Sequence, residues 1–106
     1  MALEVLLTED AERDLEQIYD YIFGQGDHAE ADRILDKIEQ ALGRLARHPN
    51  RGSYPKELPD LGIREYRQIL FDSHRLIYRV IDDRVIVYLI ADGRRDMQDL
   101  LTRRLF

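Results

Sequence analysis

Across the segment 53–62 the hydrophobic pattern of this chain passes from the period of helices to that of strands, and that change restricts the fold more than any other feature. Before it, apolar residues recur three and four apart, the spacing of a helix with one buried face. Ala11, Leu15, Ile18, Tyr19 and Ile22 form one such stripe, and Ala31, Ile34, Leu35, Ile38, Ala41, Leu42 and Leu45 form a second. After it come three runs of strand-forming residues, 64–71, 75–81 and 85–91. Helices segregated before strands predict an α+β domain.

The ends of these segments carry the expected punctuation. Thr8 can cap the first helix, and Glu9, Asp10 and Glu12 follow where the helix dipole favours acids. Gly24-Gln25-Gly26 ends that helix, Asp27 caps the second, and His48-Pro49-Asn50-Arg51-Gly52 stops it. Two such helices form a hairpin whose combined apolar face needs cover. Leu3–Leu7 reads as a first strand near a sheet edge. The segment 53–62, with Pro55 and Pro59, reads as a connecting loop. Asp72-Ser73 and Asp82-Asp83 supply turns, so the three later strands should form a meander. The last of them is apolar on both alternating sets, as a strand inside a sheet would be. Gly93 breaks it, Asp96 can cap, and Met97, Leu100, Leu101 and Leu105 mark a terminal helix. The predicted order is β-α-α-β-β-β-α: an N-terminal strand and helical hairpin packed on an antiparallel sheet, as one domain over 1–106.

Charge is unevenly spread. Residues 1–53 hold six basic and twelve acidic side chains, net −6, whereas residues 54–106 hold ten and nine, net +1. A uniformly basic nucleic-acid binder is excluded, because the whole-protein field repels phosphate unless a local patch overrides it. With no cysteine, disulfides and Cys-based zinc sites are impossible. The longest apolar run, Val85–Ala91, is far too short to span a membrane, and the first ten residues lack a signal-peptide pattern. These features predict a cytoplasmic protein with no membrane partner.

Motifs for chemistry are sparse. His28, His48 and His74 are too widely spaced for a local metal motif, and Gly24-Gln25-Gly26 lacks the context of a phosphate loop. Neither Ser53 nor Ser73 sits in a nucleophile motif. No metal or cofactor is expected. The arginines are more informative: Arg64, Arg67, Arg75, Arg79, Arg94, Arg95, Arg103 and Arg104 all lie in the second half. Arg75 and Arg79, four apart in a strand, share one face. They either pair with acids at the sheet surface or form a basic patch for an RNA phosphate or an acidic peptide. Arg94-Arg95-Asp96 stands out, placed where a central strand ends beside a helix start.

Three segments, in order and over nearly the whole chain, resemble the RelE/ParE superfamily of bacterial type II toxins, most closely its ParE branch. Residues 7–15, Leu-Thr-Glu-Asp-Ala-Glu-Arg-Asp-Leu, are similar to the family's first strand and following A-x-x-D-L helix. Residues 75–80, Arg-Leu-Ile-Tyr-Arg-Val, are similar to its Y-R-[VL]-I-Y strand, with His74 in place of the first Tyr. Gly93-Arg94-Arg95-Asp96 is similar to its H-x-R-D or G-K-R strand end.

RelE-like members cleave messenger RNA on the ribosome without metal, using a cluster of lysines and arginines and a C-terminal Tyr or His. On that resemblance Arg75 and Arg95 match the cleaving set, but Tyr66 and Gln68 stand where lysines belong, and the aromatic position falls about at Leu101. ParE-like members inhibit DNA gyrase by protein binding and need no catalytic residue. The resemblance therefore implies a non-enzymatic gyrase inhibitor that meets its target through Arg94, Arg95, Arg103 and Arg104. It also implies a ParD-like antitoxin, held through Leu15, Tyr19, Arg67, Arg75 and Arg79, which makes the operator DNA contacts for the pair. A ribosome-dependent endoribonuclease and a non-toxic antitoxin-binding module are the alternatives.

Overall fold

The structure, a computed structural model, describes residues 2–106. Its elements run β1 (Glu4–Leu7), α1 (Glu9–Gly24), α2 (His28–Arg47), a 3₁₀ turn (Pro59–Leu61), β2 (Tyr66–Phe71), β3 (His74–Ile81), β4 (Arg84–Asp92) and α3 (Met97–Leu105). The three caps form as the sequence predicts. Thr8 Oγ1 accepts the Ala11 N–H, Asp27 Oδ1 that of Glu30 and Asp96 Oδ1 that of Asp99, each at 3.1 Å. Asp72 and Asp82, the first residues of the two hairpin turns, have positive φ (50° and 55°), which a short polar side chain tolerates.

The four strands lie in the order β1-β4-β3-β2, so β4 is central, as its two apolar faces require. The sheet is mixed rather than wholly antiparallel. β1 runs parallel to β4, from Glu4 opposite Arg84 to Leu7 opposite Val87. Everything from α1 to β3 separates the two strands and supplies the long connection that parallel neighbours need.

The helical hairpin covers one sheet face, packing on Leu76, Tyr78, Val85, Val87 and Ile90. The other face is not open: α3 and the segment around Leu58 pack on Ile77, Leu89 and Ala91. A bulge in β4 makes both layers possible. Ile77 pairs with Leu89 and Tyr78 with Val87, leaving Tyr88 as an extra residue. Side chains beyond Tyr88 therefore change parity, so Ile90 joins Val85 and Val87 on the hairpin face.

The connecting segment is built in rather than solvated. Pro55 and Leu58 are buried, and Ser53 exchanges backbone hydrogen bonds with Gln68 on the outer edge of β2 (3.1 and 2.7 Å). Tyr78, fully buried, donates its hydroxyl hydrogen to Pro49 O (2.7 Å) and accepts the Gly52 N–H (3.0 Å). Only glycine fits at position 52, where a Cβ would lie 2.6 Å from both Tyr78 Oη and Gln68 O.

Candidate functional site

The exposed arginines of the strand end sit on the rim of a groove. β1 pairs only with Arg84–Val87, so the stretch Tyr88–Asp92 has no strand beside it on that edge. Helix α1 crosses there instead. Between α1 and the ends of β3 and β4 lies a cavity of about 360 Å³. Ile18, Tyr21 and Ile22 form its helical wall, His74 and Ile90 its sheet wall, and Arg94 and Arg95 its rim. A groove whose walls mix aliphatic side chains with Asp14, Gln17 and Asp92, and whose mouth carries two guanidinium groups, suits an apolar anchor with an acidic group nearby.

Local geometry fixes this rim. Gly93 donates its N–H to Ser73 O at 2.7 Å, and its missing Cβ leaves room for Ser73 O and the Arg75 stem. Asp92 accepts from the Arg94 backbone N–H (2.9 Å) and from Arg94 Nε and Nη2 (3.0 and 2.7 Å). The Arg94 guanidinium holds the Asp92 carboxyl well below the usual carboxylate range. Arg94 remains highly exposed despite this contact, and Arg95 is exposed with no side-chain partner among the described residues. His74 stacks on Phe71, ring centroids 5.3 Å apart, and its buried Nδ1 makes no hydrogen bond.

Burial lowers the His74 pKa below its ordinary 6.5, an effect that the Asp92 and Asp72 charges only partly oppose. The unfolded chain therefore takes up this proton more readily than the folded one. Stability from the neutral ring is fully present above about pH 6.5 and is lost as the pH falls below it. Thermal melts from neutral to about pH 5.5 should show a falling Tm that His74→Gln flattens. A wild-type Tm constant across that window would contradict this placement of the ring.

The other arginines divide by how their donors are used. Arg75, 8% exposed, gives Nη1 and Nη2 to the two Glu57 oxygens (2.9 and 2.8 Å) and Nε to Gln68 Oε1 (2.7 Å). Arg104 gives Nη1 and Nη2 to Asp14 (2.9 and 2.6 Å) and reaches Tyr88 O (3.2 Å). Arg67 donates to Gly52 O (2.8 Å) and lies over the Tyr54 ring, 4.8 Å from its centroid. Arg79 lies over Tyr66 at 5.9 Å, and Arg103 pairs with Asp99 at 2.9 Å on the exposed side of α3. Leu15 packs half-buried against the core, and Tyr19 donates its hydroxyl to Asp32 at 3.1 Å.

The structure thus brings Arg94 and Arg95 together at one groove, while Arg103 lies on α3 and Arg104 turns inward. On the opposite sheet face, Gln68 accepts from the committed Arg75, Tyr66 lies opposite Arg79, and Leu101 is buried. Sequence reasoning missed Glu57, Asp14 and the groove wall at His74. Asp14 carried a signal, as a charge three residues from Ala11 on a buried helical face. Glu57 carried none. No group of three or more His, Asp or Glu side chains able to hold a metal occurs among the described residues, and no described helix is long and apolar enough to cross a membrane.

Comparison with known proteins bears on this geometry. A family model described as the ParE toxin of the type II toxin–antitoxin system parDE matches residues 5–97. Among solved structures, the chain resembles one from the chromosomal ParDE toxin–antitoxin system of P. aeruginosa (TM-score 0.70, 16% identity, covering 86% of this chain and 96% of that one). It also resembles one from the RelBE2 toxin–antitoxin complex of Mycobacterium tuberculosis (TM-score 0.58, 22% identity, 87% and 99% covered). No curated protein matches the sequence. With most of its length matched, from the first strand to the start of α3, the chain belongs to the ParE toxin family of type II toxin–antitoxin systems.

Proposed function

We propose that this toxin acts in the cytoplasm by binding DNA gyrase through its Arg94–Arg95 end, and that a cognate ParD-like antitoxin neutralises it and carries the pair's operator contacts. The observation that carries this reading over RNA cleavage is the state of Arg75. Its Nε and both terminal nitrogens are engaged by Glu57 and Gln68, and the Arg75 guanidinium in turn holds the Glu57 carboxyl below its usual range. A guanidinium in that position is spent on the fold and is a poor stabiliser of a phosphorane's charge. With Tyr66, Gln68 and buried Leu101 where a cleaving enzyme needs bases and acids, recognition is the better-supported activity. Arg94 and Arg95 offer the exposed guanidinium groups that protein interfaces favour.

The purified protein should inhibit supercoiling by gyrase. Arg94→Ala with Arg95→Ala should weaken inhibition by about ten-fold or more while leaving Tm unchanged, as expected for exposed hot-spot residues. Full supercoiling in the presence of a folded, toxic preparation would reject gyrase as the target.

A further inference from the structure

Charge along the chain is more polarised than its two halves show. Residues 1–39 hold three basic and twelve acidic side chains, residues 57–106 hold nine of each, and residues 40–56 hold Arg44, Arg47, Arg51 and Lys56 with no acid at all. That stretch is the end of α2 and the loop after it.

Helical spacing turns part of the stretch into a row. Arg33, Lys37, Gln40, Arg44 and Arg47 recur four and three apart, which places them on one face of α2. The two ends of the row differ. Arg33 is held by Glu30 and Asp72, and Lys37 by Asp72 at 2.8 Å. Arg44, Arg47 and Arg51 are exposed and pair with no carboxylate among the described residues. Gln40, Arg44 and Arg51 line a second groove, of about 240 Å³, whose far wall is β2. Helix α1, with its six acids, packs instead on β4, β1 and α2.

The loop that carries Arg51 is fixed from both sides. Tyr78 holds Pro49 O and the Gly52 N–H, and Arg67 donates to Gly52 O at 2.8 Å. The helix dipole accounts for cations in the last turn, Arg44 and Arg47, but not for Arg51 beyond it.

We propose that Arg44, Arg47 and Arg51 hold the phosphate backbone of duplex DNA. From Lys37 to Arg47 the helix rises about 15 Å, enough to follow several phosphates of one strand at about 3.4 Å of axis each. Gln40 and Asn50, both exposed, add the neutral donors that accompany phosphate contacts. A protein partner wants an apolar anchor, and no large hydrophobic between Phe23 and Tyr54 is exposed. A single strand wants an aromatic face for its bases, and Tyr54, the aromatic that follows Arg51, already carries Arg67 over its ring. Such a row positions DNA without reading its sequence. That the duplex is DNA rests on the gyrase reading, since gyrase works on duplex DNA; the contact itself is measured without gyrase, so either can fail alone.

The test titrates the full chain against a short labelled DNA duplex between about 50 and 200 mM salt. The logarithm of affinity should fall with that of salt at a slope of about −3, as three neutralised phosphates require. Changing any one of Arg44, Arg47 and Arg51 to Gln should reduce the slope by about one, and changing all three should weaken binding at low salt by about ten-fold or more at unchanged Tm. Arg13→Gln, which removes an exposed arginine paired with Glu9 and Asp10, should leave the slope as it is. No duplex binding at low salt, a slope that survives the triple change, or tighter binding of duplex RNA, an oligouridylate or a capped oligoglutamate at the same residues would overturn the proposal. Should the triple variant lower Tm, Arg51→Gln, outside the helix, decides by its slope.

Discussion

Replacing Arg75 with alanine is expected to cost about 3–5 kcal/mol of folding stability, the range for breaking one side of a buried ion pair. Glu57 would be left nearly buried, its side chain 12% exposed, with both guanidinium partners gone, and Gln68 Oε1 would lose its donor. For a domain of this size that loss corresponds to a fall in Tm on the order of 20 °C. The loss comes from the stranded charge more than from the missing contact, so Arg75→Met with Glu57→Leu should recover most of it. Chemical denaturation of the three proteins checks this, and a double variant as unstable as Arg75→Ala would contradict it. The result also governs how activity data are read: loss of toxicity in Arg75→Ala reports unfolding unless the fold is verified.

Asp14→Ala should be comparably damaging, by about 3–4 kcal/mol, because one carboxylate serves two partners. Asp14, 6% exposed, accepts the Ile90 N–H at 3.1 Å on the stretch of β4 that β1 does not reach, and takes both terminal nitrogens of Arg104. The Asp14–Arg104 pair ties α3 to α1 across the sheet edge. Its loss should therefore free α3 before the rest of the fold opens, visible as faster amide exchange over 97–105. Asp14→Asn keeps an acceptor for Ile90 and should be the milder change. If Asp14→Ala left exchange in α3 unaltered, the pair would not be the tie described here.

These two pairs also mark the boundary of what the sequence makes legible. Helix caps, turn aspartates and the inner position of β4 are local or periodic features, and the chain states them in Thr8, Asp27, Asp72 and the unbroken apolar run of Val85–Ala91. The α+β class and the hairpin on one sheet face follow from them. The parallel pairing of β1 and the Tyr88 bulge do not, because every residue of β4 near the bulge is compatible with either face. Nor does the division of the arginines. Arg75, Arg94, Arg95 and Arg104 are alike in sequence, and only Glu57 and Asp14, distant along the chain, decide which are spent on the fold. Of the four arginines offered for target contact, Arg94 and Arg95 share one groove rim, Arg103 lies on the outer side of α3, and Arg104 is committed to Asp14. The first groove is legible only in part, since Arg94 and Arg95 announce its rim, whereas His74 and Ile90 join its wall through tertiary packing.

The most direct test of a recognition toxin, as opposed to an RNA-cleaving one, adds equal amounts of the wild-type protein to two reactions. One contains gyrase, DNA and ATP; the other contains translating ribosomes and messenger RNA. Accumulation of cleaved gyrase-bound DNA with intact messenger is the expected result. Messenger cleavage with no trapped DNA would contradict it.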